Sequence, residues 1–436
     1  MENIQCEPIG TVVQKVTATV DAETYEATRS SVLKKIQKQL SLPGFRKGKV
    51  PFSFLQQRYP EEIQGEVRQT LVQKLLEQLK QEKHWDIAAV TKTDFTGNDD
   101  EQEMTVELEI APDIQLPDYQ HFPLEPENIT ISETEKNDFI ERIRKQYATY
   151  EVVHRPIHPK DYVKLSYEGT VEGKPINEYP NVPPLWGKQT GTWEEADATD
   201  GLGIPEIVFG LDGLNVGDTK EITVHFPENF AAEALQKKQG TYRVSILEVR
   251  EVKLPELNEE FLKKLQLKDV TELQSFAEKA IRQQKEQAYA VQQKHRITEF
   301  LVRSVTNDLP STWIKNSTEN VLQEMVNLLS SHGVTEQERE EQKAVLYEKA
   351  KAIAIDRIKL NLCFEKIYQK EQLKLENRDI EPVILQEAQA RRIPPEKFVQ
   401  KIRQDPALQN DIRTKAFQAK MINWLFQRLR PKANVS

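Results

Sequence analysis

Gly44-Phe45-Arg46-Lys47-Gly48-Lys49-Val50-Pro51, GFRKGKVP, separates two stretches of helical spacing. Its two glycines permit the positive φ that a tight turn needs, and Pro51 suits the start of a helix. Three cations and one aromatic are therefore expected at a projecting tip. Arg and Lys match phosphates, and Phe suits stacking or an apolar slot. A plain basic turn with its Phe folded back on its own helices has the same composition, so the loop is read with its surroundings.

Those surroundings are basic. From Ala27 to Pro60 the chain carries Arg29, Lys34, Lys35, Lys38, Arg46, Lys47, Lys49 and Arg58 and no acid. The whole 436-residue chain has a net charge of −9, so everything outside this window carries −17. That balance argues against bulk nucleic-acid binding, DNA included, and for one local anionic partner. Before the loop, Tyr25–Leu40 places Val32, Leu33, Ile36 and Leu40 at helical spacing, until Pro43-Gly44 breaks it. After it, a helix is expected from Val50 or Pro51 to Lys83, with Val67, Leu71, Leu75 and Leu79 at four-residue steps. The β-branched run Thr11–Val20 and the alternating Met104–Ile110 read as strands. Residues 1–112 are thus expected to form an α+β domain. Pro112, Pro117, Pro123 and Pro126 mark a linker, with a helix near Glu133–Thr149, and this segment is taken as 113–157.

Glycine divides the rest. Ten of the 16 glycines lie between Gly169 and Gly240, and one, Gly333, follows. Residues 158–250 read as an antiparallel β domain with strands at Tyr162–Tyr167, Lys220–Phe226 and Thr241–Val249. Residues 251–436 read as all helix, over about 258–306, 312–331, 335–375, 380–392, 396–404 and 407–430. Long helices with thin apolar stripes suggest extended arms.

Several chemistries are excluded. The seven histidines are scattered, and His154 and His158, four apart, are kept off a helix by Pro156 and Pro159. The two cysteines, Cys6 and Cys363, lie far apart, which suits a reducing compartment. No P-loop, dinucleotide fingerprint or nucleophile elbow occurs. No metal or other cofactor is expected. No apolar run approaches a membrane span, MENIQCEPIG lacks a signal-peptide pattern, and a cytoplasmic protein with no membrane partner is expected.

With these features in hand, the chain resembles the trigger factor family of bacterial ribosome-associated chaperones. GFRKGKVP resembles that family's ribosome-docking signature, LPELNEEF (Leu254–Phe261) its junction into the C-terminal domain, and Asp405-Pro406 with Ile412–Leu425 its last helices. The resemblance runs the length of the chain. It implies a multidomain α+β architecture: an N-terminal ribosome-binding domain, a central FKBP-like antiparallel β domain, and an all-α body with extended arms. It implies that Gly44, Phe45, Arg46, Lys47, Gly48, Lys49 and Pro51 meet rRNA phosphates and acidic side chains of a ribosomal protein at the tunnel exit. Nascent and unfolded polypeptides would be its other partners, and it allows a weak homodimer off the ribosome.

The middle resembles FKBP-type prolyl isomerases. Tyr167-Glu168-Gly169 and Phe226–Phe230 resemble that family's turns, and Ile204-Pro205…Gly210…Gly213…Val216-Gly217-Asp218 matches its glycine frame without a gap. The resemblance implies an apolar isomerase pocket of Tyr167, Ile176, Ile204, Ile207, Phe230 and Tyr242. Prolyl isomerisation has to overcome a barrier of about 18–20 kcal/mol of amide resonance, and a water-poor pocket favours the twisted amide without acid–base chemistry. Three positions depart from the pattern. Ile207 stands for the floor aromatic, Glu206 for a glycine, and Ile176-Asn177 for an aromatic–acid pair. Residues 178–203 read as an altered flap in which Trp186 and Trp193 either cover the pocket or pack under a longer loop. In the helical body, Met325, Leu328 and Leu329 near a hairpin tip, and Ile422, Trp424 and Phe426 on the last helix, are the candidates for holding clients, burial in the body's own core being the other reading of each. A free cytosolic prolyl isomerase, and a helical adaptor with an inactive FKBP-like domain, are the alternatives.

Overall fold

The strand β1 (Glu2–Pro8) opens a computed structural model of the chain, which describes residues 1–40, 45–46, 48–98, 101–179, 182–198, 205–331, 334 and 336–430. After it come β2 (Val13–Asp21), the helices α1 (Ala22–Gln39), α2 (Phe52–Arg58) and α3 (Pro60–Lys83), then β3 (Ile87–Asn98) and β4 (Glu101–Ile110). The strands form one antiparallel sheet in the order β1-β2-β4-β3. Alternation decides which face of the sheet is covered. Val16, Ala18 and Val20 on β2 and Met104, Val106 and Leu108 on β4 are all 0% exposed. They form one core with α3, whose Ile63, Val67, Leu71, Leu75 and Leu79 repeat at four-residue steps. Burying five such side chains is worth about 2 kcal/mol each, far more than the ~1 kcal/mol that Gly65 costs inside the helix. The single helix expected from Pro51 to Lys83 is broken at Tyr59 (φ −132°, ψ 48°), because the ring of Pro60 forbids helical backbone before it. β1 and β3 were not legible, since edge strands bury little and alternate weakly.

The middle begins with α4 (Glu133–Gln146), closed by a capping box between Ser132 and Glu135. Then follow β5 (Thr149–Val152), β6 (Tyr162–Val171), β7 (Lys174–Pro175), α5 (Pro184–Gly187), β8 (Lys188–Glu195), α6 (Pro205–Phe209), β9 (Thr219–His225), β10 (Gln239–Lys253) and α7 (Glu259–Lys264). The long strand β10 pairs antiparallel with β5, β6 and β9, and β6 also pairs with β7 and β8. β8 lies inside the stretch read as a flap.

The helices α8 (Val270–Ser304), α9 (Ser311–Ser331), α10 (Glu336–Glu341), α11 (Lys343–Lys370), α12 (Asn377–Ala390), α13 (Pro395–Gln404) and α14 (Pro406–Leu429) complete the chain. The helix expected over 258–306 is two helices, α7 and α8, parted near Gln266 at φ +60°. Gly333, expected as a boundary, lies outside the described residues.

The chain folds as two units, Met1–Glu127 with Tyr289–Ser436, and Asn128–Ala288. Within the first, the proline-bearing segment after Pro112 is not a loose tether. Ile114 and Tyr119 are buried with Leu301, Phe364, Ile367 and Leu425, and Leu116, Phe122 and Leu124 pack on the same cluster. The Tyr119 hydroxyl donates to Glu371 at 2.9 Å. Proline disfavours helical backbone at the residues before 117, 123 and 126, and a short 3-10 turn, Tyr119–His121, turns Tyr119 into the cluster.

Candidate functional site

The basic loop between α1 and α2 is anchored at its far end. Val50 is 0% exposed, and its carbonyl accepts from the Gln37 side-chain amide at 2.6 Å. The Lys49 N–H donates to the Arg46 carbonyl at 2.9 Å, closing a turn in which Gly48 has φ +77°. A Cβ at Gly48 would meet nothing within 4 Å, so glycine is needed there for its backbone freedom and not for space. Arg46, Lys49 and Pro51 are exposed. Pro51 precedes α2 as its cap, and Phe52 starts the helix. Gly44 and Lys47 lie outside the described residues.

Phe45 differs from the expectation of an outward-thrust ring. It is half-buried against the domain core, with its ring 5.1 Å from that of Phe54. The exposed aromatics beside this loop, among the described residues, are Phe52 (38%) and Phe54 (39%). Both were passed over in the sequence, although two Phe at i and i+2 cannot share one buried helix face. The acid-free window is also less bare in space than in sequence. Lys35 pairs with Glu66 at 2.5 Å and Arg29 with Glu26 at 3.0 Å.

In the second unit, the expected pocket residues do converge. Tyr167 on β6 and Tyr242 on β10 meet edge-on at 5.9 Å. Gly169 stands opposite Tyr242 in the ladder, and a Cβ there would sit 2.5 Å from the Tyr242 ring and 2.7 Å from Ile176. Tyr242, Ile176 and Ile207 are 0% exposed. Phe230 is half-buried at the edge, 4.8 Å from Phe226. Ile204 lies outside the described residues.

The short helix α5 sits over this cluster. The Tyr167 hydroxyl donates to the Leu185 carbonyl, and the Tyr242 hydroxyl donates to the Trp186 carbonyl at 2.8 Å. The Trp186 ring lies 4.8 Å from Phe230. Burial pushes both tyrosine hydroxyls well above their ordinary pKa, so they remain donors at any physiological pH. Trp193 is elsewhere. It pairs with Lys164 on the outward face of β6, stacks on Tyr162 at 5.6 Å and lies under Arg250 at 4.5 Å. Of the two tryptophans, only Trp186 packs against this cluster.

The client-holding candidates divide. Phe426 is 8% exposed, and Ile422 and Trp424 pack on the same core as Phe364 and Leu425, which is the second of the two readings given for them, burial in the body's own core. Their stripe seals α14 onto the body, and open apolar rings there would forfeit about 2 kcal/mol each. Met325 is half-buried against Val321, Ala350 and Ala354, Leu329 is half-buried, and Leu328 is 61% exposed. Other exposed apolar side chains of the helical body were missed: Val291 (68%), Val345 (56%), Ile353 (40%) and Leu385 (55%). Among the described residues no group of His, Cys, Asp or Glu has the arrangement of a metal site, and no helix is long and apolar enough to cross a membrane.

Comparison with known proteins adds two family models. The bacterial trigger factor protein model matches residues 2–143, and the bacterial trigger factor C-terminus model matches residues 269–427. The trigger factor of Opitutus terrae is 30% identical over 406 residues, covering 92% of this chain and 92% of that one. The trigger factor of Bacillus subtilis is 26% identical over 416 residues, covering 92% and 94%. A solved trigger factor chaperone, described for promiscuous substrate recognition in folding and assembly, aligns over 98% of this chain and 100% of its own at a TM-score of 0.50 and 18% identity.

Proposed function

The chain belongs to the bacterial trigger factor family, and from that premise we propose that it meets the ribosome through the loop Phe45–Pro51 and the aromatic pair behind it. It is a ribosome-associated chaperone for newly made polypeptides. The observation that carries the docking reading is the anchored turn itself: buried Val50 below, exposed Arg46 and Lys49 above, with Phe52 and Phe54 beside them. Cations so placed suit rRNA phosphates and acidic side chains of a ribosomal protein, and the two rings suit an apolar slot. The same reading gives the first unit the holding of unfolded chains, through exposed apolar side chains of its helices, and the middle unit a prolyl isomerase pocket of the FKBP type. It includes a cytoplasmic location and a weak homodimer off the ribosome. No cofactor enters it.

The test is pelleting with ribosomes. Replacing Phe45, Arg46 and Lys47 together by alanine should abolish co-sedimentation of the folded chain. Wild-type binding should weaken steeply with salt, as phosphate contacts require. Undiminished co-sedimentation of the triple variant overturns the assignment.

A further inference from the structure

We propose that Pro183–Gly187 is a built-in occupant of the aromatic pocket, a lid that must leave before a proline-containing peptide can enter. The inference rests on reading that pocket as a peptide site. Three observations carry it. First, the pocket's two hydroxyl donors are spent on main-chain carbonyls, those of Leu185 and Trp186. A carbonyl is the group every peptide presents, so an incoming chain can replace the lid bond for bond at little polar cost. Second, the segment is two-sided. The Trp186 ring is turned in against Phe230, whereas Pro183, Pro184 and Leu185 are exposed. Its hold on the cluster therefore rests on one ring, two main-chain carbonyls and the seated Gly187, while its outer side stays in solvent. Third, the seat is tight. A Cβ on Gly187 would fall 1.6 Å from the Asn177 side-chain oxygen and 2.9 Å from the Asn177 backbone nitrogen. The side chain could swing aside; the backbone could not.

A tethered lid competes as an intramolecular ligand, at an effective concentration of roughly millimolar. Free peptides in dilute solution are therefore held off. A nascent chain emerging beside the ribosome-bound protein is tethered too, and meets the lid on equal terms. The closed pocket is in this way biased toward clients presented at the ribosome.

The experiment uses the full chain as wild type, Gly187→Ala and Trp186→Ala. The probe is a fluorescein-labelled Ala-Ala-Leu-Pro-Phe peptide, followed by anisotropy, and the same Leu-Pro bond is followed in a protease-coupled isomerisation assay. The lid lowers apparent affinity by the fraction of time the pocket is open. Both variants should therefore bind about tenfold more tightly or better, and isomerise the bond faster by a similar factor. Equal binding by wild type and both variants overturns the lid and leaves the pocket reading standing. No binding by any of the three overturns the pocket reading and the lid with it. Tighter binding without catalysis supports the lid and removes only the isomerase activity. Should the variants fold poorly, wild type decides alone. Saturating peptide should speed amide hydrogen exchange in the peptide spanning 183–187, and unchanged exchange in the bound state overturns the proposal.

Discussion

Cys363 shows how position alone sets a residue's chemistry. It is 0% exposed on α11, its thiol faces the Leu301 carbonyl at 3.7 Å, and burial pushes the thiol up to about 11. The thiolate is the reactive form. Cys6 lies on the edge strand β1 and is half-buried. At pH 8 an aromatic disulfide reagent is expected to titrate one thiol quickly, Cys6, and the second only in denaturant; two fast thiols would contradict this placement. The glycines differ in the same way. Gly48 is required by its backbone angle, and Gly169 by the Tyr242 ring that would collide with any side chain. Identical letters in the sequence thus report unrelated constraints.

At the scale of elements, the most instructive contact joins β4 to the start of α9. The Glu109 carboxylate, 3% exposed, accepts from the Ser311 N–H at 2.9 Å, the Ser311 hydroxyl at 2.5 Å and the Thr312 N–H at 3.0 Å. A helix leaves its first N–H groups without partners, and here a distant strand supplies the cap. Burial raises the Glu109 pKa, but the four hydrogen-bond contributions from Ser311 and Thr312 outweigh it, and the net shift is downward. A carboxyl held below its unfolded value adds stability that is fully present above about pH 4.3. That contribution is lost as pH falls through the folded value. Glu109→Ala should strand both amides, at a cost of about 1–3 kcal/mol. The expected readout at neutral pH is faster amide exchange at the N-terminus of α9, by roughly ten- to a hundredfold. In wild type the same amides should lose protection on acidification. Unaltered exchange would mean that the cap contributes nothing.

For the whole molecule, the division into two units has a consequence for engineering. Asn128–Ala288 is inserted into a unit that has its own cores on both sides of the break. The two ends of the insertion meet within the first unit. The Tyr289 hydroxyl donates to the Glu125 carbonyl at 2.7 Å, and the Glu125 N–H donates to Gln293 at 3.1 Å. A chain in which 128–288 is replaced by a short Gly-Ser linker should therefore fold. It should still pellet with ribosomes and still suppress aggregation of an unfolded protein, while losing peptide binding at the aromatic pocket. Failure to fold would show that the insertion is structural; folding with loss of aggregation suppression would place client holding in the middle unit.

Local physics explains what could be read directly. Four-residue spacing in α3, alternation in β4 and the glycine-bounded turn at Gly48 are each set by neighbours along the chain, and all three were legible. Tyr167, Ile176, Ile207 and Tyr242 were grouped by resemblance to known turns, and in the structure they lie in one buried cluster. Edge strands β1 and β3 escaped, since their pairing is supplied by β2 and β4 and not by their own pattern. By itself the sequence determined the α+β class, the helical C-terminal part and the basic loop, because periodicity, glycine placement and charge are properties of short stretches. Only the tertiary structure decided which aromatics face outward, Phe52 and Phe54 in place of Phe45, and that Ile422, Trp424 and Phe426 serve the body's own core. It alone set the Trp186 ring against Phe230 and put Glu109 on a helix 202 residues away. Burial and hydrogen bonding depend on what the fold brings against a residue, and that partner is written elsewhere in the chain.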